Sequence, residues 1–117
     1  MRDGFQHLAA QFAKSGLAIK QELTPANAHA LHMAVGVSGE AGELLDAVKK
    51  AAIYGKAIDR ANVVEEIADV RFYLAGLMNA YGITEAELFE QEERKLTARY
   101  HQGGYSNQQA QARADKA

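Results

Sequence analysis

The sequence predicts an all-α protein, a bundle-like arrangement of four main helices. Apolar residues recur every three or four positions through most of the chain, which is the spacing of one helix face. The 117 residues include a single proline, so little interrupts long helices. Each periodic segment also begins near a residue that caps helices or ends near a glycine. No segment shows the strict apolar–polar alternation of a half-buried strand.

The first two predicted helices occupy the N-terminal half of the chain. Apolar residues at helical spacing indicate a helix over residues 3–15, and Gly16 is predicted to end it. The second helix has Thr24 as its predicted N-cap and Pro25 in its first turn, where a missing N–H costs nothing. Apolar residues continue at helical spacing from there, so this helix is predicted to extend to about residue 54.

Two further helices follow a predicted turn at Gly55. Asp59 can cap the third helix by accepting a hydrogen bond from a backbone N–H of its first turn. Thr84 and Glu87 have the spacing of a capping box at the start of the fourth helix, which is predicted to end near Tyr100. Because the second and third helices are joined by a short turn, we expect them to form an antiparallel hairpin.

The chain is predicted to hold one domain, residues 1–105, and a polar C-terminal tail, residues 106–117. The length suits one domain with a modest apolar core. The tail, SNQQAQARADKA, has no large apolar side chain to bury, so we expect it to be frayed or disordered.

Composition excludes several classes of protein. The chain has no cysteine, which rules out disulfides and thiolate metal sites, and its net charge of −2 gives no basic surface for nucleic acid. No apolar run approaches the roughly 20 residues that span a bilayer. The first residues lack the apolar core of a signal peptide. We therefore expect a cytoplasmic protein that binds neither a nucleic-acid polymer nor a membrane.

Two pairs of carboxylates mark the predicted hairpin. Glu40 and Glu43 share one face of the second helix, and Glu66 and Asp69 share one face of the third. The midpoint between Glu43 and Glu66 falls at the Tyr54–Gly55 junction, and so does the midpoint between Glu40 and Asp69. An antiparallel hairpin around that junction would therefore bring each pair to the same height and concentrate about four negative charges in one patch.

Such a patch needs cations, and ligands that offer only oxygen favour Mg²⁺ or Mn²⁺. Solvated surface carboxylates are the alternative interpretation of either pair alone. A ferritin-like di-iron site would need Glu-x-x-His pairs, which these positions lack. Gly36, Gly39 and Gly42 recur beside the first pair. They can form a small-residue packing seam or leave room for a ligand.

The segments GEAGELLDAVKKAAIYGK, VVEEIADVRFYLAGL and RKLTARYHQGGYS together resemble the MazG-like all-α NTP pyrophosphatases. The resemblance extends from about Leu31 to Tyr105 and implies a MazG-type fold. It implies Mg²⁺-dependent hydrolysis of a nucleoside triphosphate, NTP or dNTP, to the monophosphate and pyrophosphate, with Mn²⁺ as a substitute. The implied metal-binding and catalytic residues are Glu40, Glu43, Glu66 and Asp69.

The resemblance also implies residues that contact the substrate. Tyr73 would pack near the sugar, and its alternative role is that of a core aromatic residue. Lys95, Arg99 and Tyr100 match the basic C-terminal stretch that reaches the phosphates in relatives, although a solvated last helical turn would have the same composition. Lys50 is a weaker candidate for the same role.

Two other functions remain open at this stage, and so does the assembly. One is a phosphoribosyl-ATP pyrophosphohydrolase, which performs a related reaction on a related helical scaffold. The other is a helical interaction module that binds a metal ion without turnover. Family members are usually dimers or tetramers, and four helices that share one core leave little wall for a nucleotide pocket. The resemblance therefore implies a homodimer or a homotetramer.

Overall fold

The structure is a computed structural model, and it describes residues 3–116. Every regular element within that range is helical, which confirms the predicted all-α class. The elements are α1 (Gly4–Phe12), α2 (Gly16–Glu22), α3 (Pro25–Ala52), α4 (Arg60–Tyr81), α5 (Glu85–Arg99), α6 (Asn107–Ala112) and a 3₁₀ turn (Ala114–Lys116). None of these helices combines the length and apolar character needed to cross a bilayer.

The chain divides into two compact units, Met1–Ala80 and Tyr81–Ala117. The N-terminal unit holds α1, α2, α3 and nearly all of α4, and the C-terminal unit holds α5, α6 and the 3₁₀ turn. The predicted domain of residues 1–105 and the boundary at its end stay predictions.

The N-terminal segment forms two short helices where one was predicted. Asp3 caps α1 through a capping box with Gln6, as its Oδ1 accepts the Gln6 N–H at 2.8 Å. The predicted role of Gly16 as a stop is wrong, because Gly16 is the first residue of α2. The reason is local: the Ser15 hydroxyl accepts the Ala18 N–H at 3.1 Å and starts a new helix.

The caps predicted for the hairpin helices are confirmed. The Thr24 hydroxyl accepts the Asn27 N–H at 3.1 Å at the start of α3. The Asp59 carboxylate accepts the Asn62 N–H at 3.1 Å at the start of α4. Between the two helices, Gly55 has a φ of 68°, a left-handed conformation that glycine adopts without steric cost. The predicted turn at this glycine is therefore present.

Close contacts between α3 and α4 confirm the antiparallel hairpin. The backbone at Gly36 lies against the ring of Tyr73, and the backbone at Gly76 lies against the side chain of Met33. Both contacts are symmetric about the Tyr54–Gly55 junction, the midpoint that the carboxylate pairs predicted. The register of the hairpin is therefore the one that brings the two acidic pairs to the same height.

The described chain buries few apolar side chains. Those buried within residues 3–116 are Ala30, Met33 and Ala47, all on α3. The apolar face of α1 lies open, with Phe5 87% and Phe12 73% exposed. Such a small core leaves large apolar side chains in contact with water, which is unusual for a stable monomer.

The C-terminal tail is ordered helix, so the predicted disorder is wrong. The Ser106 hydroxyl accepts the Gln109 N–H at 3.1 Å and caps α6. Beyond α6, Asp115 receives two hydrogen bonds from the Arg99 guanidinium of α5, Nε to Oδ1 at 2.7 Å and Nη2 to Oδ2 at 3.2 Å. This two-pronged ion pair holds a polar segment that has no large apolar side chains to bury.

Asp115→Asn is expected to loosen residues 107–116 at neutral pH. The hydrogen bonds from Arg99 hold the pKa of Asp115 below its ordinary value of 3.8. Because this pKa is lowered in the folded chain, the stabilisation is complete above pH 3.8 and is lost as pH falls through the lowered pKa. Hydrogen exchange of the tail should therefore be faster in the variant near neutrality, and the difference should vanish in strong acid.

The matched control for this prediction is Asp46→Asn. Asp46 also pairs with a cation, Lys50 Nζ at 3.2 Å, but its side chain is 51% exposed. Exposed pairs contribute little to stability, so we expect almost no change in exchange. Equal effects of the two substitutions on the tail would contradict the assigned role of Asp115.

Candidate metal centre on the helical hairpin

Three carboxylates of the hairpin converge. Glu40, Glu43 and Glu66 each offer an oxygen, and these oxygens all lie within 4.8 Å of one another. The spacing of three residues puts the first two on one face of α3. The antiparallel register then brings α4 alongside, with Glu66 opposite them. The three are graded in exposure: Glu43 is exposed, Glu40 is half-buried and Glu66 is buried.

Glu66 is the most constrained member of the cluster. It is 7% exposed, and its Oε2 has no hydrogen-bond partner within the described part of the chain. Burial raises the pKa of Glu66, and a hydrogen bond with Glu40 and the charges of Glu43, Glu40 and Asp69 raise it further. A buried carboxylate with an unused oxygen is unfavourable unless a positive charge comes to it.

Asp69 was predicted as the fourth member of the site. It lies one helical turn after Glu66 on α4 and is half-buried. Its charge helps to raise the pKa of Glu66, so it lies within electrostatic reach. It does not belong to the group of three converging oxygens. Its role as a ligand therefore stays a prediction.

The residues present fit a hard divalent cation. Every donor is a carboxylate oxygen, which suits Mg²⁺ or Mn²⁺. Such a set of donors leaves coordination positions that water or phosphate oxygens could take. The unpartnered Oε2 of Glu66 supplies the independent indication, because a bound cation would satisfy it. Glu40, Glu43 and Glu66 are the residues that would hold the ion.

The glycine series beside the cluster separates into two kinds of position. A Cβ added at Gly36 would overlap the ring of Tyr73, so this glycine is needed for the approach of α4. A Cβ at Gly39 or Gly42 would meet nothing within 4 Å. The predicted packing seam is thus confined to Gly36, and the other two positions face open space.

Comparison with known families agrees with this geometry. Residues 6–95 match the family PRA-PH, phosphoribosyl-ATP pyrophosphohydrolase, over a stretch that includes the whole hairpin. The chain belongs to this family. The family is part of the MazG-like all-α NTP pyrophosphatase superfamily, so the predicted resemblance is confirmed. No curated protein and no solved structure gives a match.

Tyr73 is the residue of this family member that was predicted to pack near the sugar of the substrate. Tyr73 is half-buried between the helices of the hairpin. Its ring meets Phe72 edge-on at 5.2 Å between centroids and His32 edge-on at 6.3 Å. Its visible contacts are therefore packing contacts, and its predicted approach to a sugar stays a prediction.

The predicted cationic residues lie on different elements of this family member. Lys50, on α3, pairs with Asp46 at 3.2 Å on an exposed surface, so its charge is accessible to an anion. Lys95, on α5 in the C-terminal unit, is half-buried and lines a cavity of about 260 Å³ together with Asp115 and Lys116. Their predicted phosphate contacts stay predictions.

Arg99 and Tyr100 have partners that sequence reasoning did not foresee. Both prongs of the Arg99 guanidinium bind Asp115, and the Arg99 side chain is only 17% exposed. Tyr100 lies 5.4 Å from Tyr105 between ring centroids, and both line an open cleft of about 480 Å³. Ser106 as an N-cap and the helix-forming residues QQAQA after it were the signals in the sequence that this tail forms a helix.

Proposed function

We propose that this chain is a divalent-cation-dependent pyrophosphohydrolase that cleaves the triphosphate of a nucleoside triphosphate, or of a derivative of one, between its α- and β-phosphates. Pyrophosphohydrolase activity follows from the family. The observation that carries the cation dependence is Glu66, a buried carboxylate whose Oε2 has no partner and which faces two further carboxylates. We propose Mg²⁺ as the natural ion, with Mn²⁺ able to replace it.

The proposed roles of the three carboxylates follow from how deeply each one is buried. A triphosphate carries about four negative charges, and Mg²⁺ would neutralise these and order the phosphate oxygens. Glu66 is buried and Glu40 is half-buried beside it, so these two are suited to holding the ion rigidly. Glu43 is the most exposed of the three possible ligands, so we propose that it serves as the base that accepts a proton from an attacking water while Glu40 and Glu66 hold the ion.

The bonds and charges of this step balance. The oxygen of the water forms a bond to the α-phosphorus while the bond from that phosphorus to its bridging oxygen breaks in line. The electron pair leaves with pyrophosphate. One proton of the water passes to Glu43, and the other stays on the new phosphate oxygen until the monophosphate ionises in solvent. Lys50, on the same unit as the carboxylates, is proposed to stabilise phosphate charge. The phosphate contacts that the resemblance implies for Lys95 and Arg99 stay predictions, and the Arg99 guanidinium is bound to Asp115.

Two substrate classes are supported. The acidic pairs and the basic stretch near Arg99 are typical of enzymes that act on free NTPs or dNTPs. The family match favours phosphoribosyl-ATP, whose triphosphate presents the same anhydride to the same carboxylates. Either substrate is a soluble nucleotide, in keeping with the predicted cytoplasmic location.

Release of pyrophosphate from a panel of NTPs, dNTPs and phosphoribosyl-ATP tests this function. We expect release with Mg²⁺ or Mn²⁺, formation of the monophosphate product, and complete loss on addition of EDTA that excess Mg²⁺ reverses. The ranking of substrates decides between the two classes. Binding of Mg²⁺ without turnover of any member of the panel would instead favour the non-catalytic interaction module.

We also propose that a second copy of this chain covers its open apolar faces, giving a homodimer or a homotetramer. The buried apolar side chains of residues 3–116 are small in number and mostly small in size. On α4, Val64, Ile67 and Leu74 recur at helical spacing and are 50%, 48% and 39% exposed. Light scattering after size exclusion is expected to give at least twice the chain mass of 12.7 kDa.

A further inference from the structure

One of the two close approaches between the hairpin helices, that of Gly36 and Tyr73, lies beside the carboxylate cluster. At Gly36 a Cβ would overlap three atoms of the Tyr73 ring, including the carbon that joins the ring to its own Cβ. Rotation of the ring about its long axis cannot relieve that overlap. Phe72 and His32 meet the same ring edge-on, so the ring has neighbours on further sides. Gly36 and the Tyr73 ring therefore limit the separation of α3 and α4 on the side of the cluster, and the contact at Gly76 limits it one turn further from the cluster.

The same two residues share their helix faces with the carboxylates. Gly36 precedes Glu40 by four residues on α3, and Tyr73 follows Asp69 by four residues on α4. Each step is about one helical turn, or 5.4 Å along the axis. A change of helix separation at the glycine is therefore carried directly to the acidic cluster one and two turns away.

We propose that the contact between Gly36 and Tyr73 positions the carboxylates and sets which divalent cation the cluster accepts. Neither residue needs to touch the ion, so both are positioning residues. The inference rests on the proposed function, because it assumes that the cluster binds a cation. It adds that the preference for a small ion comes from the helix separation at Gly36.

Cation size supplies the readout. Mg²⁺ requires near-octahedral oxygens at about 2.0–2.1 Å, whereas Ca²⁺ accepts about 2.3–2.6 Å and irregular geometry. Carboxylate oxygens of Glu40 and Glu66 lie within 4.8 Å of each other, so the two helices hold these side chains close together. A Cβ at Gly36 would lie well inside van der Waals distance of the Tyr73 ring, so the helices must move apart, and this movement should weaken Mg²⁺ more than Ca²⁺. Outer-shell changes of this kind typically cost about 10- to 100-fold in metal affinity.

The test is Gly36→Ala, with calorimetric titration of Mg²⁺, Mn²⁺ and Ca²⁺ alone, without nucleotide. We expect Mg²⁺ affinity to fall about 10-fold or more and the ratio of Mg²⁺ to Ca²⁺ affinity to fall with it. Gly39→Ala is the matched control, since it adds the same methyl group to the same helix but meets nothing within 4 Å. Both variants gain the same helix propensity, so any difference between them comes from the contact with Tyr73. Gly39→Ala should therefore leave both affinities within about twofold of those of the unaltered protein.

A second variant keeps the test decisive. Gly36→Ala combined with Tyr73→Leu removes the ring that the new methyl group would strike, and it should restore the ratio of affinities toward that of the unaltered protein. If Gly36→Ala alone does not fold by circular dichroism, Tyr73→Leu alone carries the test. Removal of the ring as a spacer should then change the ratio of affinities by about 10-fold.

The outcomes separate this inference from the function on which it rests. If the unaltered protein binds no divalent cation, the proposed function fails. If it binds Mg²⁺ and Gly36→Ala behaves as Gly39→Ala does, the function stands and the positioning role is overturned. A fall in Mg²⁺ affinity that leaves the ratio to Ca²⁺ unchanged would also overturn it, because general loosening of the hairpin would weaken both ions alike.

Discussion

Glu66→Gln is expected to reduce pyrophosphate release by on the order of 100-fold or more while the helices stay folded. The amide has nearly the same shape as the carboxylate but cannot neutralise a cation. A bound metal ion contributes several kcal/mol of charge stabilisation in the transition state, so losing its central ligand removes most of the rate. Mg²⁺ binding measured by calorimetry should fall in parallel.

Stability should respond in the opposite direction. Without a cation, burial and then the negative charges of Glu43 and Glu40 oppose ionisation of Glu66 and raise its pKa. A neutral amide avoids that repulsion, so the metal-free variant should melt no lower than the metal-free parent protein. The combination of lost activity and retained melting temperature distinguishes a functional carboxylate from a structural one.

Glu65→Gln is the control that the chain offers. Glu65 is adjacent in sequence but exposed, about 100° around the helix from Glu66. It should lose little activity and little Mg²⁺ affinity. If both variants lose activity equally, or if Glu66→Gln retains full Mg²⁺-dependent turnover, the three-carboxylate centre is not the site of catalysis.

Phe12→Ala is expected to cost about 3–5 kcal/mol of stability and to dissociate the assembly. Phe12 is 73% exposed in the isolated chain, where its loss would change stability by only about 0.5 kcal/mol. The larger cost arises only if a second copy buries this ring. The loss of stability caused by Phe12→Ala is therefore about six to ten times larger in an oligomer that buries this ring than in a monomer.

Two measurements check this prediction. Light scattering should show the variant at the mass of one chain or in equilibrium with it. The melting temperature of the unaltered protein should rise with protein concentration, and that of a monomeric variant should not. Gln11→Ala is the control, since Gln11 is a polar, exposed neighbour on the same helix. A stable Phe12→Ala protein of unchanged mass would show that α1 takes no part in the assembly.

Prediction from sequence succeeded where the determinants lie close together along the chain. Thr24, Asp59 and Thr84 cap their helices as predicted, because each cap is a hydrogen bond between residues three apart. The hairpin register was predictable for a related reason. A glycine turn joins two helices of known pitch, so the midpoint of the chain between them fixes which residues face each other. The failures at Gly16 and in the tail came from overlooking the Ser15 and Ser106 caps.

The sequence by itself determined the all-α class, the hairpin and the convergence of acidic residues, because periodicity and caps act locally. Only the tertiary structure decided that Glu66 is the buried member, that Gly36 alone of its series carries a contact, and that Arg99 is held by Asp115. Burial and pairing depend on side chains brought together from distant positions, and no local pattern specifies how much room each one finds.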